Sequence, residues 1–116
     1  MRTFVGAAVI ALSFVTSAQA AVVSAPGVPI SRVAAGASGG TFLYIPPSVF
    51  TECNQSVWGI TFSVLYIPNS NLYAMLLAAK NAGNSIRQLI VNDGAPATNV
   101  DWTATTTCRV DYADIE

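Results

Sequence analysis

Histidine is absent from the 116 residues, which removes the commonest general base and the commonest neutral metal ligand. Charge is scarce too, at 9% of residues against 53% hydrophobic. The surface must then be finished with Ser, Thr, Asn and Gln, a covering that protects less well against self-association than charge does. Beyond residue 20 the basic side chains are Arg32, Lys80, Arg87 and Arg109, placed singly along the chain. They form no positive stripe, so binding to a phosphate backbone by neutralising several charges together is not expected, and nucleic acid is not an expected partner. Cysteine is limited to Cys53 and Cys108.

What is present begins with a targeting signal. Arg2 precedes the apolar run Val5 to Val15, and Ala18-Gln19-Ala20 supplies the small residues of a signal peptidase site, the pattern of a secretory signal peptide over residues 1–20. The competing readings are a membrane anchor or a buried helix, but a span needs roughly 20 apolar residues. The expectation is a secreted or periplasmic protein, cut after Ala20, with no stable membrane insertion once the signal is removed. A small, mildly acidic domain is left, and a domain of that size buries only about 60–70% of its unfolded surface and gains from a covalent staple.

In an exported chain with two cysteines, pairing Cys53 with Cys108 is the favoured reading, the alternative being two free thiols. Closing a loop of about 55 residues contributes roughly 4 kcal/mol by chain entropy, as an upper figure.

Residues 21–40, rich in Ala, Val, Gly, Ser and Pro, are expected to form a flexible arm with one short edge strand near Pro29 to Ala34. Residues 41–116 are expected to form a single domain. Thr41 to Ile45 is a β-branched and aromatic strand stopped by Pro46-Pro47. Val57 to Val64 alternates Trp58, Ile60, Phe62 and Val64 on one side, predicting a half-buried strand with Trp58 in the core. Leu72 to Ala82 carries Leu72, Met75, Leu76 and Ala79 at helical spacing, with Asn69, Ser70 or Asn71 available to cap its start and Gly83 its end. Ser85 to Val91 resumes extended structure, Asn92-Asp93-Gly94 turns, and Ala95 to Trp102 is the longest polar loop. Thr103 to Thr107 and the alternation Cys108, Val110, Tyr112 then complete the sheet.

With both thiols bonded, six carboxylates are the remaining catalytic candidates. Asp111 and Asp114 are three apart and cannot pair for acid/base work in a strand without a bulge. Asp93 and Asp101 would hold Ca²⁺ if they approached with backbone carbonyls, but turn and loop roles suit them better. No catalytic residue, metal or cofactor is expected. Sugar recognition is the better fit, because it needs an apolar plate for the C–H face and amide or hydroxyl partners for the ring oxygens. Trp102, Asp101 and Asn99 supply that set in a loop, where binding residues concentrate; Trp102 folded back over the core edge is the bland alternative. Asn54-Gln55-Ser56 matches a glycosylation sequon, which matters only in a cell able to use it.

The predicted order is strand, strand, helix, strand, strand, with one further edge strand at the start. It gives an α+β, mainly β class and fits a five-stranded, partly open OB-fold-like barrel or sheet with one helix and one disulfide. Leu76-Leu77-Ala78-Ala79-Lys80, Gly83 and Ser85-Ile86-Arg87 make a helix, a Gly exit and a strand start. In this stretch the chain resembles the small OB-fold B subunits of bacterial AB5 toxins of the subtilase-cytotoxin and typhoid-toxin type. The resemblance implies a homopentamer whose outer surface binds cell-surface glycans; it carries over no sugar-contact residue. The leading expectation is a secreted, non-enzymatic binding module, oligomeric and glycan-directed. The alternative is a monomeric periplasmic structural or inhibitor-like protein that holds a protein partner at a sheet edge. A small hydrolase working through Asp93 or Asp101 is a third reading.

Overall fold

The structure, a computed structural model, describes residues 22–36, 40–100 and 104–116; the expected signal peptide lies outside them. In chain order come β1 (Val22–Val28), β2 (Arg32–Ala35), β3 (Thr41–Ile45), a 3-10 turn (Thr51–Cys53), β4 (Asn54–Val57) and β5 (Ile60–Ile67). The helix α1 (Ser70–Ala82) follows, then β6 (Ile86–Asn92), the short β7 (Thr98–Asn99) and β8 (Thr105–Thr106), and β9 (Arg109–Ile115). Among the described residues the protein is mainly β with one helix and one disulfide, as its sequence pattern leads one to expect. The N-terminal stretch holds two strands where one was expected, β1 pairing antiparallel with β6 and β2 with β3.

The large sheet runs β1-β6-β9-β5-β3-β2, with β4 also paired to β5. Among the described residues β1 pairs only with β6 and β2 only with β3, so the sheet is open and forms no closed barrel. Two antiparallel blocks, β1-β6-β9 and β2-β3-β5-β4, meet where β5 and β9 run parallel through a single paired position, Tyr66 with Arg109. That thin seam is reinforced. The Tyr66 N–H donates to the Cys108 carbonyl (2.8 Å), the buried Thr106 hydroxyl donates to the Val64 carbonyl (2.7 Å), and Cys53 is bonded to Cys108 across 55 residues of chain. The expected pairing of the cysteines is thus formed, and among the described residues no free cysteine remains.

Because side chains alternate along a strand, β3 and β5 send residues into two separate cores. Leu43, Ile45, Leu65 and Ile67 join Leu76, Leu89, Val91 and Val110 in the larger core. The helix lies over this side, with Leu76 and Ala79 buried and Leu72 and Tyr73 partly so. Met75, expected on the buried stripe, is instead turned outward at 36% exposure. Both helix ends follow the capping rules: the Asn69 side chain accepts from the Leu72 N–H (2.8 Å), and Gly83 takes φ +76°, the left-handed region glycine enters without penalty.

Phe42, Tyr44, Val57, Val64, Val100 and Ala104 form the second core, on the opposite side of β3 and β5. No helix covers it. The segment carrying β7 and β8 folds back instead, held by the hydrogen bonds from Ala95 N–H to Thr107 carbonyl (2.8 Å) and Val100 N–H to Ala104 carbonyl (2.9 Å).

Two expectations fail here for identifiable reasons. Val57 to Val64 is not one strand, because Trp58 and Gly59 adopt φ +51° and +84° and close a two-residue hairpin between β4 and β5. Trp58 therefore leaves the alternation and is 76% exposed rather than core. Near the C-terminus the register passes from Ile90 opposite Tyr112 to Val91 opposite Val110, leaving Asp111 as the extra residue of a β-bulge. A bulge advances the side-chain phase by one. Cys108 and Val110 face the larger core, but the next residues packed there are Ala113 and Ile115, and Tyr112 turns outward.

Candidate functional site

The loop singled out from the sequence does border a cleft, at the seam between the two halves of the sheet. Among the described residues its lining is Tyr66, Ala95, Pro96, Thr98, Cys108 and Arg109, around a volume of about 190 Å³. Common small-molecule pockets hold roughly 300–1,000 Å³, so the cleft suits one ring-sized group. Each wall has a local cause. Tyr66 and Arg109 face each other because they are the paired position of the parallel seam. Ala95 and Pro96 leave β6 through the Asn92-Asp93-Gly94 turn, which the Asn92 side chain stabilises by accepting from the Gly94 N–H (3.0 Å). Thr98 is then brought back by pairing with Thr106.

The cleft offers groups for stacking and hydrogen bonding. Half-buried Tyr66 rests its ring against Phe42, with centroids 5.9 Å apart, a fixed aromatic plate. The Arg109 Nε donates to Asp111 (2.9 Å); among the described residues nothing takes up its terminal amino groups, which are strong donors in a planar fork. The Thr98 hydroxyl donates to the Pro96 carbonyl (3.3 Å), which leaves its lone pairs to accept. The covalent position of Cys108 fixes the floor.

Of the expected site residues, Asn99 is exposed in β7, paired with Thr105, one residue beyond the cleft wall and not part of it. Asp101 and Trp102 lie outside the described residues. Tyr66 and Arg109 escaped the sequence reading, although Arg109 follows Cys108 directly and the disulfide was a pointer to that place.

Two carboxylates hold arginines: Asp114 accepts from Arg87 Nε (2.9 Å), and Asp111 accepts from Arg109 of the cleft wall. The Asp114 hydrogen bond, aided by its charge, raises the Arg87 guanidinium above its ordinary pKa. Asp93 sits in its turn with its carbonyl accepting from Thr107 (3.3 Å), and no group of three or more His, Cys, Asp or Glu is gathered as a metal set among the described residues. The sequon residue Asn54 is half-buried, its Oδ1 3.0 Å from the Ser63 hydroxyl.

A second aromatic feature occupies the same side of the sheet. Tyr44 and Phe62 meet edge to face at 5.2 Å, and the Arg32 guanidinium lies over both rings, at 5.5 and 5.7 Å. Comparison with known proteins finds no matching family model, no matching curated protein and no matching solved structure.

Proposed function

We propose that the protein is a secreted, non-enzymatic binding module whose ligands are glycans, contacted in the cleft between Tyr66 and Arg109. The observation that carries this reading is the composition of the cleft among the described residues: an aromatic plate, a guanidinium whose two amino groups none of them engages, and a hydroxyl, with no carboxylate in the lining. Such a set supplies stacking and hydrogen bonding without a proton-transfer pair. The disulfide and the lack, among the described residues, of a helix able to cross a membrane accord with export. Homo-oligomeric assembly and an OB-like architecture belong to the same reading, through the resemblance to toxin B subunits. Light scattering on the oxidised protein distinguishes a pentamer from a monomer.

Binding of the oxidised protein to an immobilised glycan array tests the proposal. Wild type should give discrete glycan signals, and Tyr66→Ala should lose at least tenfold in affinity with its circular dichroism spectrum preserved. Undiminished binding by a folded Tyr66→Ala protein would remove the cleft from the account.

The open sheet favours a second reading, in which a partner protein adds a strand beside β2, whose outer side is unpaired among the described residues. Capture of such a partner would be indifferent to Tyr66→Ala and sensitive to proline introduced in β2.

A further inference from the structure

The hairpin between β4 and β5 is built against its own local preference. A two-residue turn with both residues at positive φ wants Asn-Gly or Asp-Gly, and here the first position is Trp58, at φ +51°. Bulky side chains rarely occupy that region because Cβ crowds the following carbonyl. Nor does burial compensate: Trp58 is 76% exposed and Ile60, two residues on, is 54% exposed. Trp58 suits neither the turn nor the core, and strain at an exposed position is where function is to be sought.

The surroundings of Trp58 define the chemistry. Ser56 and Thr61, both exposed, oppose each other on the two strands beside the turn, and the sequence has no charged residue between Cys53 and Ala79. An exposed indole at the turn, with exposed neutral hydroxyls on the two strands that lead into it, fits an uncharged sugar, whose C–H face stacks on the ring while its hydroxyls bond to Ser and Thr. The turn and the two strands that form it offer no counter-charge of their own to a charged ligand. A bilayer is less well matched, because adsorption draws on a basic array as well as apolar side chains and the whole chain carries a net charge of −1.

We infer that Trp58, with Ser56 and Thr61, forms a second carbohydrate contact, for a neutral sugar, at the opposite end of β5 from the Tyr66 cleft. The site rests on the glycan-binding reading but on none of the cleft residues. The hairpin register fixes the backbone of Trp58 before the ligand arrives, so little backbone ordering is needed on binding.

Trp58→Asn is the decisive variant, because it supplies the Asn-Gly pair the turn prefers and should keep or raise the thermal midpoint. Titrated against the neutral glycan that gives wild type its strongest array signal, Trp58→Asn should bind at least tenfold more weakly, and Trp58→Phe should recover part of the loss. If wild type binds and Trp58→Asn binds equally well, this site fails while the cleft stands. An empty array for folded wild type would defeat both. Flotation of wild type with phosphatidylcholine vesicles that is lost in Trp58→Asn, without any change in glycan binding, would overturn the sugar assignment in favour of a bilayer contact.

Discussion

The two sides of the β3–β5 region differ in what covers them. One side is sealed by α1, a capped helix whose Leu76 and Ala79 reach a large aliphatic core. The other is covered in its middle by the β7–β8 segment, through Val100 and Ala104, and keeps aromatic groups near its margins: Tyr66 in the cleft, Phe62 beneath Arg32. A helix excludes water along its whole length, whereas a short hairpin over aromatic rings leaves edges where a ligand can enter. On the proposed reading the aliphatic side serves stability and the aromatic side recognition.

Both sides depend on the seam, which gives the largest expected effect. Replacing Cys53 and Cys108 by Ser should lower unfolding stability by up to about 4 kcal/mol, since the bond closes 55 residues. Urea titration of the double variant checks this, and a loss below about 1 kcal/mol would mean that the Thr106 hydroxyl and the Tyr66 N–H already secure the junction.

Leu76→Ala should strike the aliphatic side alone. Leu76 is fully buried, and such truncations cost about 2–5 kcal/mol. Binding to the glycan array should survive wherever the protein remains folded.

Gly40→Ala addresses the aromatic side. An added Cβ at Gly40 would stand 2.8 Å from the Phe42 ring, closer than carbon atoms pack, and such overpacking costs roughly 1–3 kcal/mol. Hydrogen exchange should quicken at the Val100 amide while Leu89 and Val91 keep their protection. Uniform quickening would erase the distinction between the two sides.

How far the sequence disclosed this arrangement depended on whether the signal was local. The bounds of β3 and both ends of α1 were legible because Pro46, Asn69 and Gly83 act on their immediate neighbours. Pairing of Cys53 with Cys108 was legible because only one pair exists. Trp58 was misplaced because its hydrophobicity and phase outweighed Gly59, the residue that marks a break inside an apparent strand. Tyr112 was misplaced because a bulge depends on how β6 and β9 pair, which alternation within one strand does not reveal. The cleft was hardest to foresee. Tyr66 and Arg109 are joined by a single parallel pairing between distant segments, and the loop that flanks them offered Asn99, which lies beside the cleft instead of in it. Gly36 and Gly40 are close-approach positions against the Val100 carbonyl and the Phe42 ring, a tertiary constraint that the composition of residues 21–40 does not disclose.

Assignment of the aromatic side to recognition is tested most directly by applying the oxidised wild-type protein to a glycan array at micromolar concentration, with reduced protein alongside. The account predicts discrete signals, neutral glycans among them, that weaken on reduction as the seam loosens. A blank array from protein shown by circular dichroism to be folded would contradict it.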